Sequence, residues 1–188
     1  MSKNDKSTLE QAADKVNDAV EEIALKAADA AIEPDPKQVA VIGELVPLTK
    51  DALLGAWRMT SWTYEIVGTS EKRDALGARP RGWIVYSPER VMVLVLKSDR
   101  KKPAGLTPTV VEKLALYDTM FAYSGTYTVK SDRVIHHLDL SWNEAWTGTE
   151  QVRFCRIEGS ILTYTSAPAK NPLDGNDVVH TVKFERAT

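Results

Sequence analysis

Three histidines are the residues of this chain best suited to proton transfer near neutral pH. His136 and His137 are adjacent in one apolar run, and His180 lies in another, between Val178 and Val182. An imidazole titrates near pH 6.5, so each could serve as a general acid or base. Neighbouring residues of a strand point to opposite faces, so His136 and His137 cannot act together, and alternation alone leaves open which one faces an interior. We predict His137 and His180 as the acid–base residues; the alternative for each is a structural, hydrogen-bonded histidine.

A glutamine and an arginine two residues apart are the strongest candidates for orienting a polar group. Gln151 and Arg153 share one face of a predicted strand. Three carboxylates are available in the sequence as partners for this arginine: Asp139, Glu144 and Glu150. An unpaired buried charge is very costly, so Arg153 either pairs with one of these acids or meets an anionic or carbonyl group of a ligand.

Aromatic residues near the ends of predicted strands could form the mouth of a pocket. Tyrosine and tryptophan combine a large apolar surface with a polar group, which suits a moderately apolar organic molecule. The alternative is a purely hydrophobic core. Together with the polar residues above, the predicted ligand-contacting set is Tyr64, Tyr86, Tyr123, His136, Trp142, Trp146, Gln151 and Arg153.

Several other kinds of chemistry lack their sequence motifs. The chain has no glycine-rich phosphate loop, no H-E-x-x-H, no C-x-x-C and no G-x-S-x-G. With Cys155 as the single cysteine and three histidines, we predict no metal site, no cofactor and no intramolecular disulfide, although haem ligation by a histidine stays an alternative. The net charge of −2 gives no basis for nucleic-acid binding, and the basic runs 72–73 and 100–102 are interpreted as solvated loops. The single cysteine and the lack of any apolar run of about 18 residues predict a cytoplasmic protein without a membrane span.

Alternating apolar and polar residues predict that these side chains are positioned by an all-β domain. Short polar turns at 87–90, 130–133 and 158–160 favour antiparallel hairpins. The segment 108–121 has helical spacing instead and predicts a short helix between strands. The eight predicted strands, enough for a closed barrel, span residues 55–67, 83–86, 91–97, 125–130, 134–142, 149–158, 160–166 and 178–186.

The first 36 residues read as a separate module. They contain nine acidic residues and four lysines, a net charge of −5 against −2 for the whole chain. A capping box begins at Ser7, and Pro34 and Pro36 end the pattern. We therefore predict an amphipathic helical extension over 1–36, a linker over 37–50 and the β-domain over 51–188. The apolar stripe of this helix consists of Leu9, Ala13, Val16, Val20, Ile23, Ala27 and Ala30, and it predicts a homo-oligomer contact, a lid over a pocket or a protein-docking element.

The β-domain resembles the lipocalin-like domain family of the calycin superfamily from about residue 50 to the C-terminus. The resemblance rests on G-A-W-R at 55–58, P-R-G at 80–82 with Y-S-P at 86–88, Y-S-G-T-Y at 123–127, V-I-H-H at 134–137 and W-T-G-T-E-Q-V-R at 146–153. It implies an eight-stranded antiparallel lipocalin-like barrel. It also implies that Trp57 lies at the closed end beneath Arg186, where a cation–π contact seals the base. Function transfers less well than fold, because barrels of one architecture host unrelated activities.

Taken together, the sequence predicts a barrel that binds a small, mostly apolar organic molecule, oriented by His137, Gln151 and Arg153. One alternative is a cofactor-free isomerase, cyclase or lyase in which a lumen histidine moves a proton. Another is an interaction module in which the N-terminal helix is the active part.

Overall fold

The computed structural model describes residues 48–171 and 175–187. The predicted extension over 1–36 lies outside these residues, as does nearly all of the predicted linker over 37–50. Their predicted roles therefore stay predictions.

The described residues form one antiparallel sheet with two short α-helices and one 3₁₀ turn. Helix α1 spans Lys50–Leu53, α2 spans Val110–Tyr117, and the 3₁₀ turn spans Glu144–Trp146. None of the described helices is both long and apolar enough to cross a bilayer. The strands are β1 Gly55–Ile66, β2 Lys72–Asp74, β3 Arg81–Tyr86, β4 Arg90–Leu96, β5 Met120–Val129, β6 Arg133–Ser141, β7 Glu150–Glu158, β8 Ile161–Thr165, β9 Ala169–Lys170 and β10 Asp177–Arg186.

Eight of these strands close into a barrel. Their order is β1-β3-β4-β5-β6-β7-β8-β10, and β10 pairs back onto β1, which closes the barrel. Each strand is antiparallel to both of its neighbours. The two-residue β9 and three-residue β2 add only to the edges of β10 and β1. The predicted all-β, eight-stranded antiparallel lipocalin-like barrel is confirmed.

Several details differ from the sequence prediction. The basic run 72–73, interpreted as a solvated loop, belongs to the short strand β2, because its backbone pairs with β1. Strand β5 begins at Met120 rather than at residue 125, because its backbone pairs with β4 as far as Leu96. The helix before it is correspondingly shorter than 108–121 and ends at Tyr117. It begins with a capping box, in which Thr109 accepts from the backbone of Glu112 and the Glu112 carboxylate accepts from the backbone of Thr109.

The two ends of the barrel are built differently. At one end the strands are joined by short turns, at 87–89, 130–132 and 159–160. At the other end the connections are long and carry β2, α2, the 3₁₀ turn and β9. We call these the closed end and the open end.

The closed end is sealed as the resemblance implied. The Arg186 guanidinium lies 3.9 Å from the centre of the fully buried Trp57 ring. The same guanidinium donates to the carbonyls of Leu54 at 2.7 Å and Ala52 at 2.6 Å, and the Trp57 indole donates to Leu53 O at 2.8 Å. These hydrogen bonds fix α1 across the base, above a packed layer of Ile84, Val91, Val134 and Leu162.

Candidate functional site

A β-bulge in β1 decides which of its aromatic residues face the interior. Trp57 and Met59 are buried, and the pairing with β10 then shifts between Met59 and Ser61. The shift inserts one residue, so the inward positions change from odd to even numbers. Trp62 and Tyr64 consequently point into the barrel, where Trp62 packs against the core.

A second bulge, in β6, sets the direction of the adjacent histidines. The pairing with β5 shifts where Ser124 faces Leu140 and Gly125 faces Leu138. On the closed-end side of the bulge, His136 is fully buried inside the barrel. Beyond it Leu140 is 65% exposed, although simple alternation predicts that it shares the face of His136. Simple alternation fails at this point, because the extra residue reverses it.

Three tyrosines surround His136, and two of them hydrogen-bond its ring. Tyr86 Oη is 2.6 Å from His136 Nε2, and Tyr123 Oη is 2.9 Å from His136 Nδ1. The Tyr86 hydroxyl also hydrogen-bonds that of Tyr164. A neutral imidazole has one donor and one acceptor nitrogen, so one tyrosine donates to the ring while the other accepts from it. The result is a continuous hydrogen-bonded chain from Tyr123 to Tyr164.

Burial keeps this hydrogen-bonded series of side chains uncharged. It holds the pKa of His136 well below the usual histidine value, and the charge of Arg153 lowers that pKa further. Burial likewise raises the pKa of Tyr86 and of Tyr164 well above the usual value. The neighbouring Cys155 thiol has its pKa raised to about 12, also by burial, so it stays protonated at neutral pH.

His137 lies on the outer face of the barrel, which corrects its predicted place in the lumen. Its Nδ1 is 2.8 Å from a Glu150 carboxylate oxygen, and its Nε2 is 2.9 Å from the Thr128 hydroxyl. The side chain is 36% exposed. His136 and His137 alternate in direction as expected, but His136 is the one that turns inwards.

His180 faces the interior, as its apolar neighbours predicted. The Trp62 indole donates to His180 Nδ1 at 3.1 Å, and the Tyr64 ring lies 5.7 Å from the imidazole, centre to centre. Burial lowers the pKa of His180, and the charge of Arg153 adds to this effect. This histidine is therefore neutral at pH 7 and accepts through Nδ1, so the proton is on Nε2.

Gln151 and Arg153 also face the interior. Arg153 is paired across the sheet with the fully buried Val134, and Gln151 with His136, and paired residues of neighbouring strands share a face. The guanidinium donates to Gln151 Oε1 at 2.9 Å and to the carbonyl of Val152 at 2.9 Å. The first of these bonds directs the side chain along β7 towards the open end.

An aromatic cluster lies between these polar groups and the open end. Its rings form a chain of contacts, with Trp62–Phe121 at 5.0 Å, Phe121–Trp142 at 4.9 Å and Trp142–Trp146 at 4.9 Å between centres. All are partly buried rather than enclosed. We call this the open-end cluster, and it comprises Trp62, Phe121, Tyr123, Trp142 and Trp146, with Tyr117 of α2 against its outer side.

An unpartnered polar group in the open-end cluster and the position of two surface cavities both bear on binding. The Trp142 indole N–H is buried and has no hydrogen-bond partner among the described residues, which is uncommon for a buried donor. In addition, two surface cavities, of about 420 and 280 Å³, are lined by other residues and lie outside the barrel interior. The rings of the open-end cluster occupy the open half, and two of them, Trp142 and Trp146, are carried by the connection after β6 and not by a barrel strand.

The structure brings most of the predicted ligand-contacting residues together, with one relocation. Tyr86 lies in the core, 2% exposed, and not at the mouth, because its side chain points inwards from the closed-end turn. Sequence reasoning misses Trp62 because of the β1 bulge, and it misses Phe121 because the spacing over 108–121 predicts a helix there. It also misses Tyr164, for which alternation with Leu162 in β8 is an available signal.

Comparison with known proteins agrees with this architecture. A family model described as a lipocalin-like domain matches residues 54–187. No curated protein and no solved structure is significantly similar to the chain. The match covers most of the chain and nearly the whole barrel, so the protein belongs to the lipocalin-like domain family.

Proposed function

We propose that this protein binds one small, mostly apolar organic molecule in the open half of its barrel. The observation that carries the proposal is the open-end cluster itself. Its rings are only partly buried, and it lies over inward-facing polar groups at the end with long connections. Concave, mainly apolar sites with a few convergent polar groups are typical of small-molecule binding in barrels.

Binding on this proposal requires ring movement. Trp142 and Trp146 can swing aside more easily than strand residues, because they belong to a connection with a single 3₁₀ turn. A guest then lies between these two rings and those of Trp62 and Phe121. It also offers an acceptor to the unpartnered Trp142 indole N–H.

The neutral fluorophore N-phenyl-1-naphthylamine tests the proposal with the full-length chain. We expect saturable binding with enhanced emission, and a dissociation constant about two- to twelvefold weaker for Trp62→Ala, because the guest packs against this ring and an aromatic contact contributes about 0.5–1.5 kcal/mol. Trp83→Ala is the matched control, because Trp83 is 44% exposed on the outside of β3. Equal loss in both variants would show binding to the outer surface and contradict the proposal, as would the absence of saturable binding.

A second candidate function is proton transfer, favoured by the chain from Tyr123 to Tyr164. Tyr123 is a member of the open-end cluster and also touches His136, so its hydroxyl could exchange a proton with a bound molecule while His136 exchanges one behind it. Molecules that co-purify with the protein would then take up deuterium at carbon in D₂O. Uptake that is lost in Tyr123→Phe but retained in Tyr117→Phe would support catalysis; equal uptake without protein would exclude it.

A further inference from the structure

Arg153 is a cation inside the barrel that has no anionic partner among the described residues. The three carboxylates that the sequence offers it are bound elsewhere: Asp139 to Arg90 at 2.6 Å, Glu150 to His137 at 2.8 Å and Glu144 to the Thr147 hydroxyl at 3.2 Å. Arg153 forms no ion pair with any described residue, and it donates hydrogen bonds to two neutral acceptors of its own strand, Gln151 Oε1 and the carbonyl of Val152. A charge held in the interior in this way is costly unless something else compensates it.

Among the described residues that face the open half, Arg153 is the only lysine or arginine. The two histidines of the interior, His136 and His180, have lowered pKa values and stay neutral. A single guanidinium matches a single negative charge. A carboxylate fits best, because its two oxygens can accept from the arginine fork while the Gln151 amide and the Trp142 indole N–H remain as further donors.

A second observation concerns the outside of the open end. Four basic side chains from β3 and the connection between β4 and α2 line the cavity of about 280 Å³, together with Pro103 and Leu116. None of the four pairs with a carboxylate of the described residues, and the Nε atom of Arg100 is buried without a partner there. We call this group the basic rim: Arg81, Arg100, Lys101 and Lys102.

From these two observations we infer that the molecule bound in the open half is an organic monocarboxylate, with its carboxylate on Arg153 and its apolar body against the open-end cluster. The basic rim attracts the anion to the mouth and raises its association rate. This inference rests on the proposed function and adds the chemical class of the ligand.

Matched pairs of probes test the inference by calorimetry on the full-length chain. Naphthalene-2-carboxylate is compared with 2-naphthylmethanol, and decanoate with 1-decanol. We expect at least one carboxylate to bind about tenfold more tightly than its alcohol, and Arg153→Gln to remove that preference while changing alcohol affinity less than about threefold. Arg156→Gln is the control, since Arg156 lies on the same strand but pairs with Glu158 on the outside.

The possible outcomes distinguish failure of this inference from failure of the proposed function. If the alcohols bind and the carboxylates bind no better, or if Arg153→Gln leaves the preference intact, the inference is overturned and the proposed function stands. If no probe of either pair binds, both fall. If Arg153→Gln fails to fold, the wild-type comparison of each carboxylate with its alcohol still tests the inference. Arg153→Lys is then the variant to use, because it keeps the positive charge but loses the planar guanidinium that can bind both carboxylate oxygens.

The role of the basic rim has its own kinetic readout. For the double variant Lys101→Gln/Lys102→Gln we expect a several-fold slower association of the carboxylate, a weaker dependence of that rate on salt and an unchanged dissociation rate. Lys183→Gln, on the outer face of β10, is the control. If the double variant associates with the carboxylate as fast as the wild type does at low salt, the proposed role of the basic rim in attracting the anion is contradicted.

Discussion

At the scale of single residues, the barrel separates two kinds of buried polar group. His136 has both ring nitrogens hydrogen-bonded to tyrosines and is fully enclosed, so it belongs to the packed half and specifies its geometry. Arg153 is only partly buried and lacks an acid among the described residues. The hydrogen bonds of the His136 ring are therefore both made within the protein, whereas the charge of Arg153 has no opposite charge among the described residues.

The pH dependence of stability follows from the burial of His136. Its folded-state pKa lies below the value of about 6.5 in the unfolded chain, so below pH 6.5 the unfolded state binds a proton that the folded state does not. Stability is therefore lost as the pH falls from about 6.5, by up to about 1.4 kcal/mol per pH unit for this one group. The free energy of unfolding in urea, measured at pH 7.5 and pH 5, checks this.

The variant His136→Gln isolates the contribution of that residue. It should lower stability at pH 7.5 but reduce the difference between the two pH values. His137→Gln, which alters an outward-facing histidine, is the matched control. A wild-type protein that is equally stable at both pH values would contradict the prediction.

At the scale of elements, the two bulges are the features that assemble the site. The one in β1 turns Trp62 and Tyr64 inwards, and the one in β6 separates the buried His136 from the exposed Leu140. Each adds one residue to one strand, which reverses every side chain beyond it. Without them the same sequence would present a different set of side chains to the interior.

The β6 bulge depends on the lack of a side chain at Gly125. A Cβ atom there would lie 1.9 Å from the carbonyl oxygen of His137, in the facing strand. Gly125→Ala should therefore force β5 and β6 apart and cost about 1–3 kcal/mol of unfolding free energy, measured in urea. Gly105→Ala is the control, because nothing lies within 4 Å of a Cβ added at that position. Equal stability of the two variants would show that the strands adjust without cost.

At the scale of the whole molecule, the barrel is asymmetric from end to end. The closed end is covered by α1 and tied by Arg186, whereas the open end carries all the long connections and the basic rim. Rigid strands thus hold the interior polar groups in place, and the movable parts are confined to the mouth.

Removal of residues 1–36 tests how far the barrel is independent of the predicted extension. Barrel closure between β1 and β10 and the contact of Leu48 with Ser131 at the base lie within residues 48–187. We expect the truncated chain to unfold cooperatively with a Tm within a few degrees of the full-length value, measured by circular dichroism. Loss of the near-ultraviolet spectrum on truncation would contradict this.

The same truncation distinguishes the predicted roles of the extension. Light scattering would show a lower oligomer mass if the helix joins copies of the chain, whereas an unchanged mass with faster probe release would indicate a lid. Removal of residues 2–6, ahead of the predicted capping box at Ser7, is the control.

Local sequence patterns were sufficient to predict the architecture of the barrel. Alternation and short polar turns predicted eight antiparallel strands, and helical spacing predicted the helix before β5, because these depend on residues close together in the chain. The Trp57–Arg186 seal followed from the resemblance to the lipocalin-like domain family. The sequence also predicted that Gln151, Arg153 and several aromatic residues belong together, through their shared strand faces.

Which strand faces lie inside and which acids are already paired follow from the three-dimensional pairing of the strands and could not be predicted from local patterns. Alternation of side chains along a strand distinguishes its two faces but does not show which of them is buried. In β4 both faces are apolar, and Met92 and Leu94 are exposed on the outside. One inserted residue reverses the rest of a strand, as at Leu140, and no local pattern marked either bulge. The pairing of Asp139 with Arg90 likewise joins residues 49 apart in the sequence, and it left Arg153 facing the interior without a carboxylate among the described residues.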